Sequence, residues 1–100
     1  MSSPKRILIL SPEAQGDLED ILRYTAETWG DAQMLSYLQQ VDEAFDLLRD
    51  HPEIGHFSAD LADTHRLYLV GSHVIVYRTP SDAVEVVRIL HRRMSLSQHM

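Results

Sequence analysis

The chain has 100 residues, 44% of them hydrophobic and 24% charged, with no cysteine and a formal net charge of −6. That is room for one domain with one modest core; it excludes disulfides and thiolate metal sites, and the apolar share argues against extended disorder. No apolar run reaches the roughly 18 residues of a membrane span and the N-terminus lacks a secretory signal, so a cytoplasmic protein without membrane contact is expected.

The first predicted element is a short strand from Arg6 to Leu10, an unbroken β-rich run. Ser11-Pro12-Glu13 then opens a helix: Ser11 caps free N–H groups, Pro12 suits the first helical position, and Glu13 complements the dipole. Ala14, Leu18, Ile21, Leu22, Thr25 and Trp29 recur at three- and four-residue spacing and predict one buried stripe. Gly30 ends this helix and Asp31 is expected to cap the next. There Met34, Leu38, Val41, Phe45 and Leu48 make the stripe, widened by Leu35, Tyr37, Ala44 and Leu47. Pro52 stops it at His51. A one-residue hinge between two amphipathic helices predicts an antiparallel helical hairpin.

Residues 53–64 read as a loop. Gly71-Ser72 lies between two alternating β-rich runs, Arg66–Val70 and His73–Arg78, and predicts a two-residue hairpin turn. Pro80 to Ala83 leads into a last strand running through Ile89. The order is strand, helix, helix, three strands. This predicts an α+β fold with the helical hairpin on one face of a mainly antiparallel sheet, in a single domain spanning residues 1–100 (core about 5–94, then a short tail).

The turn sets register, so side chains can be sorted by face. Leu67, Leu69, Val74 and Val76 share one face and, being wholly apolar, are expected under the helices with Val87 and Ile89. The open face then holds Arg66, Tyr68, His73, Ile75, Tyr77, Val86, Arg88 and Leu90, with Arg88 beside Ile75 and Arg66 opposite Tyr77. Arg78 opposite Glu85 forms an edge ion pair. Arginine and tyrosine around aliphatic residues suit a partner-binding surface. They also suit a plain solvated face, or a structural cation–π pair of Arg66 with Tyr77.

Charge is polarised along this order. Residues 1–63 carry 13 acidic and 4 basic side chains, whereas residues 64–100 carry 2 and 5. The C-terminal third is set to meet something negative. Nothing has metal-ligand spacing, since the six histidines are scattered, and there is no phosphate loop or nucleophile elbow, so no metal or cofactor is expected. Arg66, Arg88, His91, Arg92 and Arg93 remain. Arginines can stabilise a phosphoryl transition state and a histidine can move protons, so the set fits RNA cleavage; it equally fits a surface for an acidic partner.

The chain resembles the ParE/RelE toxin superfamily of type II toxin–antitoxin modules, and within it the ParE branch. The resemblance runs from Lys5 to Met94. It is carried by Ser11-Pro12-Glu13-Ala14, Asp17-Leu18, Ile21, Tyr24, Trp29-Gly30, Leu48, Pro52, Gly55, Arg66, the run from Val70 to Arg78, and Arg88-Ile89-Leu90-His91-Arg92-Arg93-Met94. It implies the same strand–helix–helix–three-strand fold.

The branch decides the chemistry. RelE-like members are ribosome-dependent mRNA endonucleases, whereas ParE-like members are associated with poisoning DNA gyrase. RelE-like enzymes place a catalytic arginine where this chain has Val74, and use a C-terminal tyrosine, which is missing after Tyr77. Only Arg93 falls where a second catalytic arginine would lie. Ser95 follows Met94 where ParE members often have aspartate. The resemblance therefore implies a toxin that binds gyrase rather than an enzyme, with no cofactor and no direct nucleic-acid contact. Arg88, His91, Arg92, Arg93, Arg66 and Tyr77 are its expected target-binding residues. A cognate ParD-like antitoxin would lay an amphipathic tail along the helical hairpin and sheet edge. The alternatives are an mRNase relying on Arg66, His91 and Arg93, and a degenerate member that only binds antitoxin and helps repress its operon.

Overall fold

The structure, a computed structural model, describes residues 6–100; Lys5, where the resemblance begins, lies outside them. A short strand β1 (Ile7–Leu10) leads into helix α1 (Pro12–Trp29) and, after Gly30 alone, helix α2 (Asp31–Asp50). Ser11 caps α1 as its sequence predicts: its Oγ accepts from the Ala14 N–H at 3.0 Å, a cap worth about 1 kcal/mol. The same Oγ donates to the Val87 carbonyl at 2.7 Å, fastening the start of the helix to the sheet. Gly30 makes the hinge with φ +94°, a conformation costly for residues with a Cβ. Gly30, not Asp31, is the cap residue of α2, and Asp31 is its first helical residue.

A single 3-10 turn (Pro52–Ile54) follows, then β2 (Arg66–Val70), β3 (His73–Arg78), β4 (Ala83–His91) and a terminal turn of helix, α3 (Leu96–His99). The sheet order is β1-β4-β3-β2, with β1 parallel to β4 and the other pairs antiparallel. This is the predicted α+β order. Gly71 alone of the two turn residues has positive φ (+56°), which pins β2 to β3 from Val70 opposite His73 through Arg66 opposite Tyr77.

The β3–β4 register holds as expected from Arg78 opposite Glu85 to Tyr77 opposite Val86, then shifts. Val87 is an extra residue, a β-bulge, so Val76 faces Arg88, Ile75 faces Ile89 and His73 faces His91. Arg88 therefore does not sit beside Ile75.

Except past the bulge, which keeps Ile89 beneath the helices as expected, the face under the helices is the opposite of the expected one. Tyr68, Val70, Ile75, Tyr77, Val84, Val86 and Ile89 pack with Ala14, Leu18, Ile21, Tyr37, Val41, Ala44, Phe45 and Leu48. Leu67, Leu69, Val74, Val76 and Leu90 lie on the far side; Val74, Val76 and Leu90 are nevertheless buried, while Leu69 is 59% exposed. Tyrosine explains the inversion. Tyr77 is fully buried, and its hydroxyl donates to the Pro52 carbonyl (2.7 Å) and accepts from the Gly55 N–H (2.9 Å). An aromatic ring with a satisfied polar tip is core material, even though by residue type it reads as surface.

The helices correct the stripe as well. Phe45, Val41 and Leu48 are buried as predicted, but Trp29 is 71% exposed, and Leu35 and Leu47 face solvent instead of widening the stripe. Tyr37 does join the core.

Candidate functional site

An open groove of about 470 Å³ lies where the C-terminal half of α1 and the start of α2 meet the tip of the β2–β3 hairpin. Tyr24 and Trp29 line it from α1, Tyr37 from α2, Ser72 and His73 from the hairpin, and His91 from the end of β4. Both Tyr24 and Trp29 are well exposed, so the groove presents aromatic surface to an incoming group.

Tyr37 organises its floor. The phenol oxygen stands 3.0 Å from the Val70 carbonyl, within hydrogen-bond reach. That oxygen also stands 2.6 Å from His73 Nδ1. Whichever of the two carries the shared proton, His73 is held to Tyr37 through Nδ1. Burial pushes the Tyr37 phenol up, and the Ser72 N–H offsets part of that, so the O–H stays protonated. Burial pushes the His73 imidazole below its ordinary value, and the neighbouring His91 adds to this. The rings run in sequence: Tyr37 to His73 at 5.5 Å, then His73 to His91 at 5.4 Å, each edge-on.

The basic residues divide into two ends of the sheet. At the groove end, the Arg92 N–H donates to the Ser72 carbonyl (2.9 Å) and the Arg93 N–H to His91 Nδ1 (3.2 Å). Backbone contacts thus hold the chain in place while both guanidinium groups remain exposed. Arg88 is engaged within the fold: Nε and Nη2 grip the Asp17 carboxylate at 2.8 and 3.0 Å, and Nη1 donates to the His99 carbonyl at 2.8 Å. The bond to Asp17 raises the Arg88 pKa further above its already high value.

At the other end, Arg66 Nη1 donates to the carbonyls of Glu53 (3.0 Å) and Gly55 (3.1 Å), and its guanidinium lies 4.2 Å from the centre of the Phe57 ring. Its cation–π partner is therefore Phe57 and not Tyr77. Burial also pushes the Tyr77 phenol up, offset in part by its bond to the Gly55 N–H. Tyr77 is sealed inside the fold, so it offers no surface to a partner.

Of the six predicted site residues, His91 lines the groove, and Arg92 and Arg93 follow it directly in the chain. Arg88 braces the neighbouring edge, and Arg66 and Tyr77 serve the far loop. Arg66 pairs with Tyr77 and His91 with His73, four residues along β3, which is roughly 13 Å of strand. The groove's aromatic wall and Tyr37 were missing from the sequence-derived site. The exposed Trp29, at the last position of a stripe that needed no further apolar residue, was the available signal.

This architecture is that of the small toxins of the RelE/ParE superfamily. It superposes on a chain of the chromosomal ParDE toxin–antitoxin system from P. aeruginosa with a TM-score of 0.75, covering 89% of this chain and 98% of that one at 18% identity. It also superposes on a chain of the RelBE2 toxin–antitoxin complex of Mycobacterium tuberculosis, at 0.62 and 21% identity, covering 89% and 100%.

Sequence narrows the class. The family model described as the ParE toxin of the type II toxin–antitoxin system parDE matches residues 8–96. Toxin ParE1 of Mycobacterium tuberculosis is 36% identical over 93 residues, covering 92% of this chain and 95% of that one. Toxin ParE1 of Caulobacter vibrioides is 33% identical over 91 residues, covering 91% and 94%. Toxin ParE of Escherichia coli is 32% identical over 89 residues, covering 88% and 86%. The chain belongs to the ParE toxin family of type II toxin–antitoxin systems.

Proposed function

We propose that this toxin acts by binding DNA gyrase, not by cleaving RNA, and that a cognate ParD-like antitoxin neutralises it. The observation that carries the reading is the separation of Arg66 from His91 and Arg93. A phosphoryl-transfer site needs its cationic and proton-moving groups within contact of one phosphate. Here Arg66 is tied to the Glu53 and Gly55 carbonyls and to Phe57, a whole strand away. Val74, at the position of the first RelE-type arginine, is buried and apolar. What this end of the sheet does offer is a groove with an aromatic wall, lined by His91, and two exposed arginines that follow His91 directly in the chain, residue types that anchor interface hot spots. Arg92, Arg93 and His91 are the target-facing residues in this reading.

The matched P. aeruginosa ParDE system supports an antitoxin partner. Residues 1–63, with their acidic excess, and the basic C-terminal third give an antitoxin tail two surfaces of opposite sign to follow. Purified toxin added to gyrase should block supercoiling of relaxed plasmid, and antitoxin should restore it. Codon-positioned mRNA cleavage in a purified translation system, with gyrase unaffected, would overturn the reading.

A further inference from the structure

The bulge at Val87 has brought two histidines opposite each other across a strand pair. His73 and His91 are direct partners in the β3–β4 ladder, their ring centres 5.4 Å apart and their planes at 79°, and both line the groove. Two imidazoles bound through nitrogen to one tetrahedral ion at ~2.0–2.1 Å have ring centres roughly 5 Å apart. The separation of the two rings is compatible with a shared ion.

The surrounding groups favour it too. Nδ1 of His73 is engaged with the Tyr37 oxygen at 2.6 Å, which leaves Nε2 as the ring nitrogen for a ligand. Outer-shell oxygens orient metal-binding histidines in this way. Asp20, the one carboxylate among the groove residues, is paired with Arg23 at 3.1 Å, so the two imidazoles are the ligands that the groove supplies.

We propose that His73 and His91 form a two-histidine chelate for a borderline divalent transition-metal ion, Zn²⁺, Ni²⁺ or Cu²⁺, with water completing the shell. Among the described residues no group of three or more His, Asp or Glu is arranged to hold a metal. The site is therefore an open chelate of two protein ligands, distinct from a closed structural centre. Its occupation has a local consequence. His91 Nδ1 accepts from the Arg93 N–H, so its own proton is on Nε2. Coordination through Nε2 moves that proton to Nδ1, with no net loss of protons, and the bond to the Arg93 N–H breaks. The ion thus ties the hairpin tip to the end of β4 and releases the Arg93 amide, while the Arg92 N–H stays on the Ser72 carbonyl.

The test uses the full chain without a histidine tag, titrated with NiCl₂, ZnSO₄ or MgCl₂ by calorimetry and thermal melting. Saturable binding of one Ni²⁺ or Zn²⁺ per chain is expected, with a melting temperature that rises with metal concentration, and none with Mg²⁺. His73→Ala and His91→Ala should each weaken binding at least tenfold, whereas His56→Ala and His65→Ala should not. In the unmutated chain, Zn²⁺ should shift the ring signals of His73 and His91 and the amide of Arg93. Absence of saturable binding would overturn the proposal. So would binding retained in the double His73→Ala/His91→Ala variant, or zinc shifts confined to other histidines.

Discussion

Asp17 and Arg88, 71 residues apart in the chain, form a two-pronged ion pair at 2.8 and 3.0 Å that stitches α1 to the edge of β4. Asp17 Oδ2 also accepts the Ile89 N–H at 2.9 Å, occupying a backbone donor on β4 beyond the stretch that β1 covers. A carboxylate here takes the place of a missing strand. Asp17→Ala should cost about 1–3 kcal/mol, because it leaves both the guanidinium and an edge amide without their acceptor. Arg88→Ala should cost less, since Asp17 keeps the Ile89 N–H. Denaturant melts of the two single variants and the double variant would give the coupling energy, and additivity would refute the pair's structural role.

The inverted sheet faces predict a contrast between two aliphatic residues. Ile75 is fully buried beneath the helices and Leu69 largely exposed on the other side. Ile75→Ala should therefore destabilise by about 2–5 kcal/mol, and Leu69→Ala by no more than ~0.5 kcal/mol. Phe45→Ala belongs with the first group, at about 3–5 kcal/mol. Equal losses at positions 69 and 75 in urea denaturation would mean that the far face is also a packed core.

His73 makes stability depend on pH. Its folded pKa is depressed by burial and by His91, so as pH falls the unfolded chain takes up a proton first. The unfolded state therefore gains, and the stability that neutral His73 retains is lost as pH drops below the unfolded value of ~6.5. Wild type should lose more stability than His73→Gln between pH 7.5 and 5.5. Carboxylates contribute to both proteins alike, so the difference between the two curves isolates the imidazole. Parallel curves would show that His73 titrates as freely in the fold as out of it.

Much of the fold was legible because local signals agreed. Ser11-Pro12 marked a helix start, Gly30 a hinge, and Gly71 a turn that set the β2–β3 register residue by residue. The bulge at Val87 had no such mark: it carries no glycine or proline, and it arises where the Ser11 hydroxyl claims the Val87 carbonyl, a contact between distant parts of the chain. Missing it moved Arg88 and His91 by one position and concealed the pairing of His91 with His73. The face inversion had a different origin, since residue type alone cannot tell a tyrosine with a satisfied hydroxyl from a solvated one. At the site, the basic tail was visible as a charge reversal. Tyr37 and the aromatic wall were not, because they depend on how two helices end against a hairpin.

The last prediction separates target binding from folding. Arg92 contributes its backbone N–H to the Ser72 carbonyl, and the tail is held again through the His99 carbonyl on Arg88, so deleting residues 92–100 would disturb the fold as well as the charge. Substituting side chains avoids this, because the guanidinium groups of Arg92 and Arg93 are exposed. Arg92→Glu/Arg93→Glu should leave the melting temperature within a few degrees of wild type, as surface changes usually do. It should nevertheless abolish growth arrest and weaken gyrase inhibition at least tenfold, since reversing two rim charges turns attraction into repulsion. Raised salt should weaken wild-type inhibition in the same direction, because exposed charges are screened over about 8–10 Å. A charge-reversed variant that remains fully toxic would reduce this basic end to a solvated terminus and send the search for the target surface to the Tyr24–Trp29 wall.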